Sequence, residues 1–157
     1  MSFTVISSLD HVPCRERVLV ITGCSKRKMV TSAPVPARSL YLGNLFRVSQ
    51  AYADTMGFDF AVLSARYGLL FADDPVVTYD QVLKTKKDVE TIRPGVEERL
   101  ASVLDRYDVI LVIAGQRYRD VLDPISGDRF YTVLSRGIGE LCQIVRSACR
   151  SILPGEV

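Results

Sequence analysis

The chain has 157 residues, of which 48% are hydrophobic and 24% charged, a mixture typical of one globular domain and not of a disordered chain. Its formal net charge of +2 does not indicate a general nucleic-acid binder. The longest apolar run, VILVIAG at 109–115, is far shorter than the roughly 20 residues that span a bilayer. No signal peptide is evident, so we expect a cytoplasmic protein without a membrane partner.

Strands and helices are predicted to alternate along the chain. Four apolar runs rich in β-branched residues predict strands, and three helical patterns and one shorter candidate lie between or after them. In chain order these are strand 17–22, helix 43–57, strand 59–64, helix 95–107, strand 108–114, short helix 116–123, strand 130–134 and helix 137–152. Gly57 suits a helix C-terminus and Pro94 a helix start. Residues 1–16 are expected to be an N-terminal extension of a single domain.

This alternation predicts an α/β fold, a three-layer α/β/α sandwich whose mostly parallel sheet has about four to five strands. The first and third strands are nearly continuous in Val, Ile and Leu, as expected when helices cover both faces of a sheet. Ligands of such sheets collect at the carboxyl ends of the strands. The residues that follow each strand are therefore the candidate site.

Each of the four strand-end loops contains glycine and at least one cation. The loops read GCSKRK, SARYGLLFADDPVVTYD, AGQRYRD and SRGIGE, whereas the opposite strand ends read as polar caps and turns. We expect the loops to meet in one cationic hollow that binds an anion, with phosphate the commonest biological candidate. The expected cations are Lys26, Lys28, Arg66, Arg117 and Arg136. GCSKRKM is not a P-loop, because it lacks the second glycine and the terminal Lys-Ser/Thr.

Several other residue types in these loops could carry chemistry. Cys24, beside Lys26 and Lys28, is either a nucleophile or a small residue that fills a tight turn. Ser25 and Ser64 either orient a ligand or cap turns. Asp80, after an extended PVVTY segment, is the best acid/base candidate among the carboxylates of its loop.

Metal and histidine chemistry have little support. The four cysteines form no C-x-x-C pair and His11 is the single histidine, so neither a zinc site nor Cys-His or Ser-His-Asp catalysis is expected. Cys142 and Cys149 share the apolar face of the last predicted helix and are expected to be core thiols. No cofactor is expected.

Five blocks of the chain resemble the YaaA-like superfamily. LSARYGLLFADDPVVTYDQVL at 63–83 is similar to its Leu-Ser-x-x-Tyr-Gly signature with a following Tyr-Asp pair, and LYLGNLF at 40–46 is similar to its Tyr-x-Gly element. GCSKRK resembles the Cys-Ser-x-x-Lys start of small superfamily domains of unassigned function, and AGQRYRD and GIGE resemble their later blocks. The pattern also has a fainter similarity to the core domain of archaeosine synthase. Thr78 stands where the pattern has Pro before the tyrosine.

The resemblance implies an α/β domain that contacts nucleic acid or acts on a nucleobase. Together with the loop analysis it gives a catalytic set of Cys24, Lys26 and Asp80. The substrate-binding set is Ser25, Lys28, Tyr41, Gly43, Ser64, Arg66, Tyr67, Gly68, Tyr79, Gly115, Arg117, Tyr118 and Arg136. Tyr67 or Tyr118 would stack on a base.

Two functions remain open from the sequence. The first is an enzyme that acts on a nucleobase, nucleotide or nucleic acid by base transfer, N-glycosidic cleavage or addition. The second is a non-catalytic nucleic-acid-binding protein of a stress or modification system, whose affinity would fall steeply with salt. A scaffold that dimerises through an exposed edge strand is the plainest alternative, and it predicts no pocket at the carboxyl edge of the sheet.

Overall fold

A six-stranded sheet forms the centre of the protein in the computed structural model, which describes residues 3–13 and 16–152. Its strands, in spatial order, are β1 Thr4–Ile6, β8 Phe130–Val133, β7 Val109–Ile113, β2 Val18–Gly23, β4 Asp59–Ser64 and β5 Gly68–Phe71. The first five are mutually parallel and β5 pairs antiparallel with β4. The four predicted strands are thus confirmed as β2, β4, β7 and β8.

The middle of the sheet is fully covered, as the continuous apolar runs predict. All five residues of β7 are buried, and the first five residues of β2 are buried as well. A strand reads as a continuous run of Val, Ile and Leu only when both of its faces pack against helices. The core of the protein is therefore centred on β2 and β7.

Helices cover the two faces of the sheet and complete the α/β/α sandwich. Their bounds are α1 Ala37–Leu40, α2 Asn44–Met56, α3 Lys86–Ala101, α4 Gln116–Leu122 and α5 Ile138–Ile152. The connections through α2 and α3 run in opposite directions along the sheet, so right-handed crossovers place these helices on opposite faces. Helix α5 packs beside α2, and α4 packs beside α3.

The predicted helix 95–107 is wrong at both ends. Helix α3 begins nine residues earlier than predicted, where Thr85 caps the backbone N–H of Asp88 and the Asp88 carboxylate accepts the Thr85 N–H. Pro94 consequently lies inside the helix instead of at its start. After Ala101 the chain leaves the helix, and Leu104–Arg106 forms a separate 3₁₀ turn.

The structure adds two strands to the predicted sheet. Residues 4–6, expected to be part of an extension, form β1 and pair with Tyr131–Val133 of β8. Residues 68–71, expected to be loop, form β5. Two further two-residue strands, β3 Val35–Pro36 and β6 Pro75–Val76, pair with each other beside the sheet.

Two further points of the sequence are the position of Cys14 and the expected absence of a membrane span. Cys14, counted among the four cysteines, lies outside the described residues. Within residues 3–13 and 16–152, no helix is long and apolar enough to cross a membrane.

Candidate functional site

A cleft of about 500 Å³ opens at the carboxyl edge of the sheet, between the start of α2 and the start of α4. Its polar and glycine lining comes from the end of β2, the start of α2 and the segment after β7: Gly23, Cys24, Ser25, Gly43, Asn44, Gly115, Gln116, Arg117 and Tyr118. Its apolar wall consists of Leu45, Phe46, Val82, Leu83 and Ile138. A cleft therefore lies at the edge where the order of strands and loops predicts one.

The predicted loops meet around this cleft. The segments that follow β2 and β7 line it directly. The segment after β4 lies behind Cys24, because the Ala65 N–H donates to the Cys24 Sγ at 3.4 Å. Ser135, after β8, lines a smaller hollow that shares Gly115 and Ile138 with the cleft. All four strand ends thus contribute to one region of the surface.

Cys24 is buried and its sulfur is held by two neighbours. The backbone N–H of Cys24 donates to the Leu63 carbonyl at 2.9 Å, which continues the β2–β4 pairing by one residue. The Tyr118 hydroxyl lies 3.2 Å from the sulfur, and the Ala65 N–H points at it from the other strand end. Cys24 thus occupies the turn at the strand end and also faces the cleft, so both sequence interpretations of this residue stay open.

A chain of buried hydroxyl groups lies behind the cleft. Ser64 Oγ donates to the Tyr79 hydroxyl at 2.8 Å, and the Tyr41 hydroxyl lies 2.7 Å from the same atom. Burial raises the pKa of Tyr41 to about 12 and raises the pKa of Tyr79 further still. Both phenols therefore keep their protons at neutral pH and act as hydrogen-bonding groups of fixed position.

Ser64 also fixes the turn that follows β4. Its Oγ accepts the backbone N–H of Arg66 at 3.2 Å and that of Tyr67 at 2.9 Å. Gly68 then takes a φ of +78°, which a residue with a side chain adopts only under strain. The serine therefore caps a turn and joins the hydroxyl chain at the same time.

Lys28 is the cation of the first loop that turns inward. Its Nζ lies 4.4 Å from the centre of the Tyr79 ring and is shielded from solvent, with no hydrogen-bond partner among the described residues. Burial lowers the pKa of Lys28, while the nearby Cys24 and Asp80 act in the opposite direction. The ammonium group therefore lies against an aromatic face and has no oxygen acceptor in the part of the chain that the structure describes.

The remaining predicted cations are exposed, apart from half-buried Arg117. Lys26 projects into solvent. The Arg66 guanidinium lies 5.2 Å from the centre of the neighbouring Tyr67 ring, and Arg136 pairs with Glu140 at 2.7 Å. Arg117 lines the cleft. The lining of the cleft is thus more apolar than that of the cationic hollow which the sequence predicts.

The other predicted residues surround or support the cleft. Asp80 is exposed beside buried Tyr79. Ser25 Oγ accepts the Gly43 N–H at 3.1 Å and donates to the Arg27 carbonyl at 2.6 Å, which ties the first loop to the start of α2. A Cβ on Gly43 would lie 2.5 Å from the Ser25 Cβ, so this close approach requires glycine.

The sequence interpretation missed the apolar wall. Phe46 packs against Tyr41 and Phe60, and Leu45 precedes it in the first turn of α2. Val82 and Leu83 follow the Tyr-Asp pair at a point where the sequence carries no periodic signal. The available signal was the position of Leu45 and Phe46 directly after the Tyr-x-Gly element, at the start of a helix.

Among the residues that the structure describes, no group of three or more His, Cys, Asp or Glu side chains is arranged to hold a metal ion. The reactive and charged groups in the lining of the cleft include the Cys24 thiol, the Tyr118 phenol and the Arg117 guanidinium.

Comparisons with known proteins place the chain in a family. An uncharacterized Bacillus subtilis (strain 168) protein, YfjM, is 28% identical to the chain over 143 residues, with 83% of this chain and 93% of that protein covered. No solved structure gives a significant match. A family model described as a family of unknown function, DUF6884, matches residues 18–137, which include the strand ends that form the cleft. The chain therefore belongs to the DUF6884 family.

Proposed function

We propose that the protein binds a nucleotide in the cleft at the carboxyl edge of its sheet, as a YaaA-like domain directed at nucleobases. The observation that carries the proposal is a cleft with an apolar wall, a tyrosine and an arginine in its lining, in the position where α/β sheets bind ligands. The motifs that resemble the YaaA-like superfamily support the same class of ligand, because Cys24, Ser25 and Gly115 belong to them and line the cleft.

The size of the cleft favours a small ligand. Sites for small molecules and cofactors commonly enclose about 300–1,000 Å³ and are mostly apolar, with a few placed polar groups. The cleft holds about 500 Å³, which suits a nucleoside monophosphate. Leu45, Val82 and Ile138, the less buried apolar residues of the lining, provide the surface for a base.

The charges of the cleft favour a ligand with one anionic end. Arg117 lies in the lining, with its guanidinium 3.9 Å from the Asp120 carboxylate, too long for a strong hydrogen bond. Arginine binds phosphate oxygens through a planar fork of N–H donors. We therefore assign the phosphate to Arg117 and the base to the apolar wall.

Thermal unfolding with added ligand tests the proposal. The four nucleoside 5′-monophosphates, the matching nucleosides and the free bases are each added at concentrations up to the millimolar range. A ligand at about 100 times its Kd stabilises the folded state by about 2.7 kcal/mol, which raises Tm by roughly 5–10 °C for a chain of this size. We expect a monophosphate to raise Tm more than its nucleoside.

Arginine variants locate the phosphate. Arg117→Ala should remove the advantage of the monophosphate while the nucleoside still raises Tm. Arg146→Ala, which removes an exposed arginine of α5, should leave both effects intact. Equal monophosphate effects in the Arg117→Ala variant and the parent would contradict the assignment.

Oligonucleotides separate this proposal from the alternative of a nucleic-acid-binding protein. Binding of single- and double-stranded DNA and RNA is measured across salt concentrations. Tight oligonucleotide binding that falls steeply with salt, without any Tm change from monophosphates, would favour the alternative.

A further inference from the structure

The Cys24 sulfur faces the cleft in a setting that buried Cys142 and half-buried Cys149 of α5 lack. We propose that Cys24 is the nucleophile that attacks an electrophilic carbon of the bound ligand, and that Tyr118 is the residue that positions its sulfur. The inference rests on the proposed function, because the cleft is the route by which a ligand carbon reaches the sulfur.

Tyr118 is placed to donate its hydroxyl hydrogen to the sulfur. Its oxygen lies 3.2 Å from Cys24 Sγ and 3.5 Å from the Leu83 backbone N–H, which can only donate. The phenol is thus an acceptor toward Leu83, which leaves its hydroxyl hydrogen free to point at the Cys24 sulfur. Burial, and next the neighbouring Cys24, raise the pKa of Tyr118, so the phenol retains its proton at neutral pH.

A second donor and a cation act on the same sulfur. The Ala65 N–H donates to Cys24 Sγ, and the Tyr118 hydroxyl is placed to donate to it from a second direction. The buried Lys28 ammonium, which lacks a hydrogen-bond partner among the described residues, lies close enough for its charge to act on Cys24. Donors and positive charge around a sulfur favour the negative charge that a nucleophilic thiol acquires.

The backbone keeps Tyr118 in this position. A Cβ on Gly23 would lie 2.8 Å from the Cγ atom of the Tyr118 ring, so the ring packs flush against the strand end. Glycine at the residue before the cysteine therefore allows the phenol to reach the sulfur. The Gly-Cys sequence at the end of β2 and Tyr118 in α4 form one structural unit.

The proposed reaction is a substitution at carbon. The sulfur electron pair forms a bond to the ligand carbon, and the bond from that carbon to its leaving group breaks with its electron pair on the leaving group. The thiol proton ends on the leaving group, and no further reagent is consumed.

Alkylation with iodoacetamide tests the nucleophile, because the same substitution occurs with iodide as the leaving group. Mass spectrometry of peptides gives the rate at each cysteine of the full chain. Cys142 is the matched reference, since it and Cys24 are each 8% exposed. Burial raises the pKa of Cys142, so we expect Cys24 to react at least about tenfold faster at neutral pH.

Tyr118→Phe tests the positioning role, because it keeps the ring against Gly23 and removes the hydroxyl. The Cys24 rate should fall about tenfold at neutral pH, the effect of losing a hydrogen bond to a charged group. The Cys142 rate should stay unchanged in this variant, whereas a general loss of packing predicts that both cysteine rates change. Lys28, Tyr41 and Tyr79 also act electrostatically on Cys24 and stay unchanged in this comparison.

Tyr107→Phe is the control, because the Tyr107 hydroxyl bonds Asp59 at the opposite edge of the sheet. It should leave the Cys24 rate unchanged. A Cys24 rate equal to that of Cys142, or a Tyr118→Phe rate equal to the parent rate at neutral pH, would overturn the inference.

Protection by a nucleoside monophosphate separates this inference from the proposed function. We expect the monophosphate that raises Tm to slow Cys24 alkylation and to leave the Cys142 rate unchanged. Slow Cys24 alkylation despite a Tm increase would overturn the nucleophile and leave the nucleotide site standing. Fast Cys24 alkylation without any nucleotide effect would support the nucleophile and contradict the nucleotide site.

Discussion

Gly23 and Tyr118 depend on each other at the floor of the cleft. Because an added Cβ at Gly23 would meet the Tyr118 ring at 2.8 Å, Gly23→Ala must displace a half-buried aromatic side chain. We expect the free energy of unfolding to fall by about 1–3 kcal/mol, the usual cost of overpacking. Urea unfolding measures this change.

Gly95→Ala is the matched control for that substitution. Gly95 lies inside α3, and a Cβ added there would meet no neighbouring atom within 4 Å, so alanine encounters no obstacle. Alanine is favoured over glycine in a helix by about 1 kcal/mol, so this variant should be more stable than the parent. Equal effects at Gly23 and Gly95 would show that the contact with Tyr118 is unimportant.

Tyr107 contributes to the free energy of unfolding, and this contribution is lost at alkaline pH. Burial, with the hydrogen bond to Asp59 next, raises the pKa of Tyr107 from 10.0 to about 12. The folded state therefore holds a proton that the unfolded state loses between those pH values, so stability is full below about pH 10 and falls as pH rises toward 12.

Tyr107→Phe removes this titration, so its free energy of unfolding should fall less steeply than that of the parent over the same pH range. Tyr41 keeps its own raised pKa in both proteins, and part of the fall should therefore persist. Identical slopes from about pH 10 to 12 would contradict the role of Tyr107. Chemical unfolding at a series of pH values supplies the slopes.

The sequence could predict which residues lie at the cleft, but it could not predict which way their side chains point. The rule that ligands bind at the carboxyl ends of parallel strands located Cys24, Arg117 and Tyr118 at the cleft. This rule depends only on chain order and strand polarity. It could not tell that Lys28 turns inward over Tyr79 while Lys26 faces solvent. That choice depends on how the loop packs against Tyr41, to which Lys28 forms a β-bridge.

Helix α3 owes its start to the capping box at Thr85. The Thr85 hydroxyl accepts the Asp88 N–H at 3.1 Å, and a lost threonine cap costs about 0.5–2 kcal/mol. Thr85→Ala should lower the free energy of unfolding by that amount. Thr91→Ala, within the same helix, should have little effect or stabilise slightly, since alanine is the better helix former. Urea unfolding of both variants compares the two positions.

The elements that the sequence predicted well are those with a strong period or a long apolar run. The helix start predicted at Pro94 is wrong. Proline suits a first helical turn, but the capping box of Thr85 and Asp88 lies upstream and begins the helix there. Strand β1 has three residues, of which only Ile6 is buried, so its pattern is too short to recognise. Strand β5 was hidden inside a stretch whose tyrosine and glycine suggested a loop.

The whole molecule should unfold as one unit, because helices on both faces share the same central sheet. Val96 of α3 and Val145 of α5 are each fully buried, on opposite faces. Val96→Ala and Val145→Ala should each lower the midpoint of a single urea transition. Circular dichroism and tyrosine fluorescence should give coincident curves for both variants. Separated curves for either variant would show that the two faces unfold independently.

The overall architecture was predictable and the shape of the site was not. Alternation of strands and helices with continuous apolar runs leaves few arrangements other than a parallel sheet between helices. The cleft also depends on where side chains such as Phe46, Val82 and Ile138 come to rest, which is fixed by packing between elements distant in the chain.

Strand β1 has a consequence for how the chain is made. It lies near the N-terminus, yet its hydrogen-bonding partner is β8, close to the other end of the sequence. As the chain leaves the ribosome, β1 stays unpaired until almost all of the remaining domain, including β8, has been translated. The pairing of β1 with β8 should therefore be a late event of biosynthesis. Local opening of this edge of the sheet should cost less free energy than opening elsewhere in the native state.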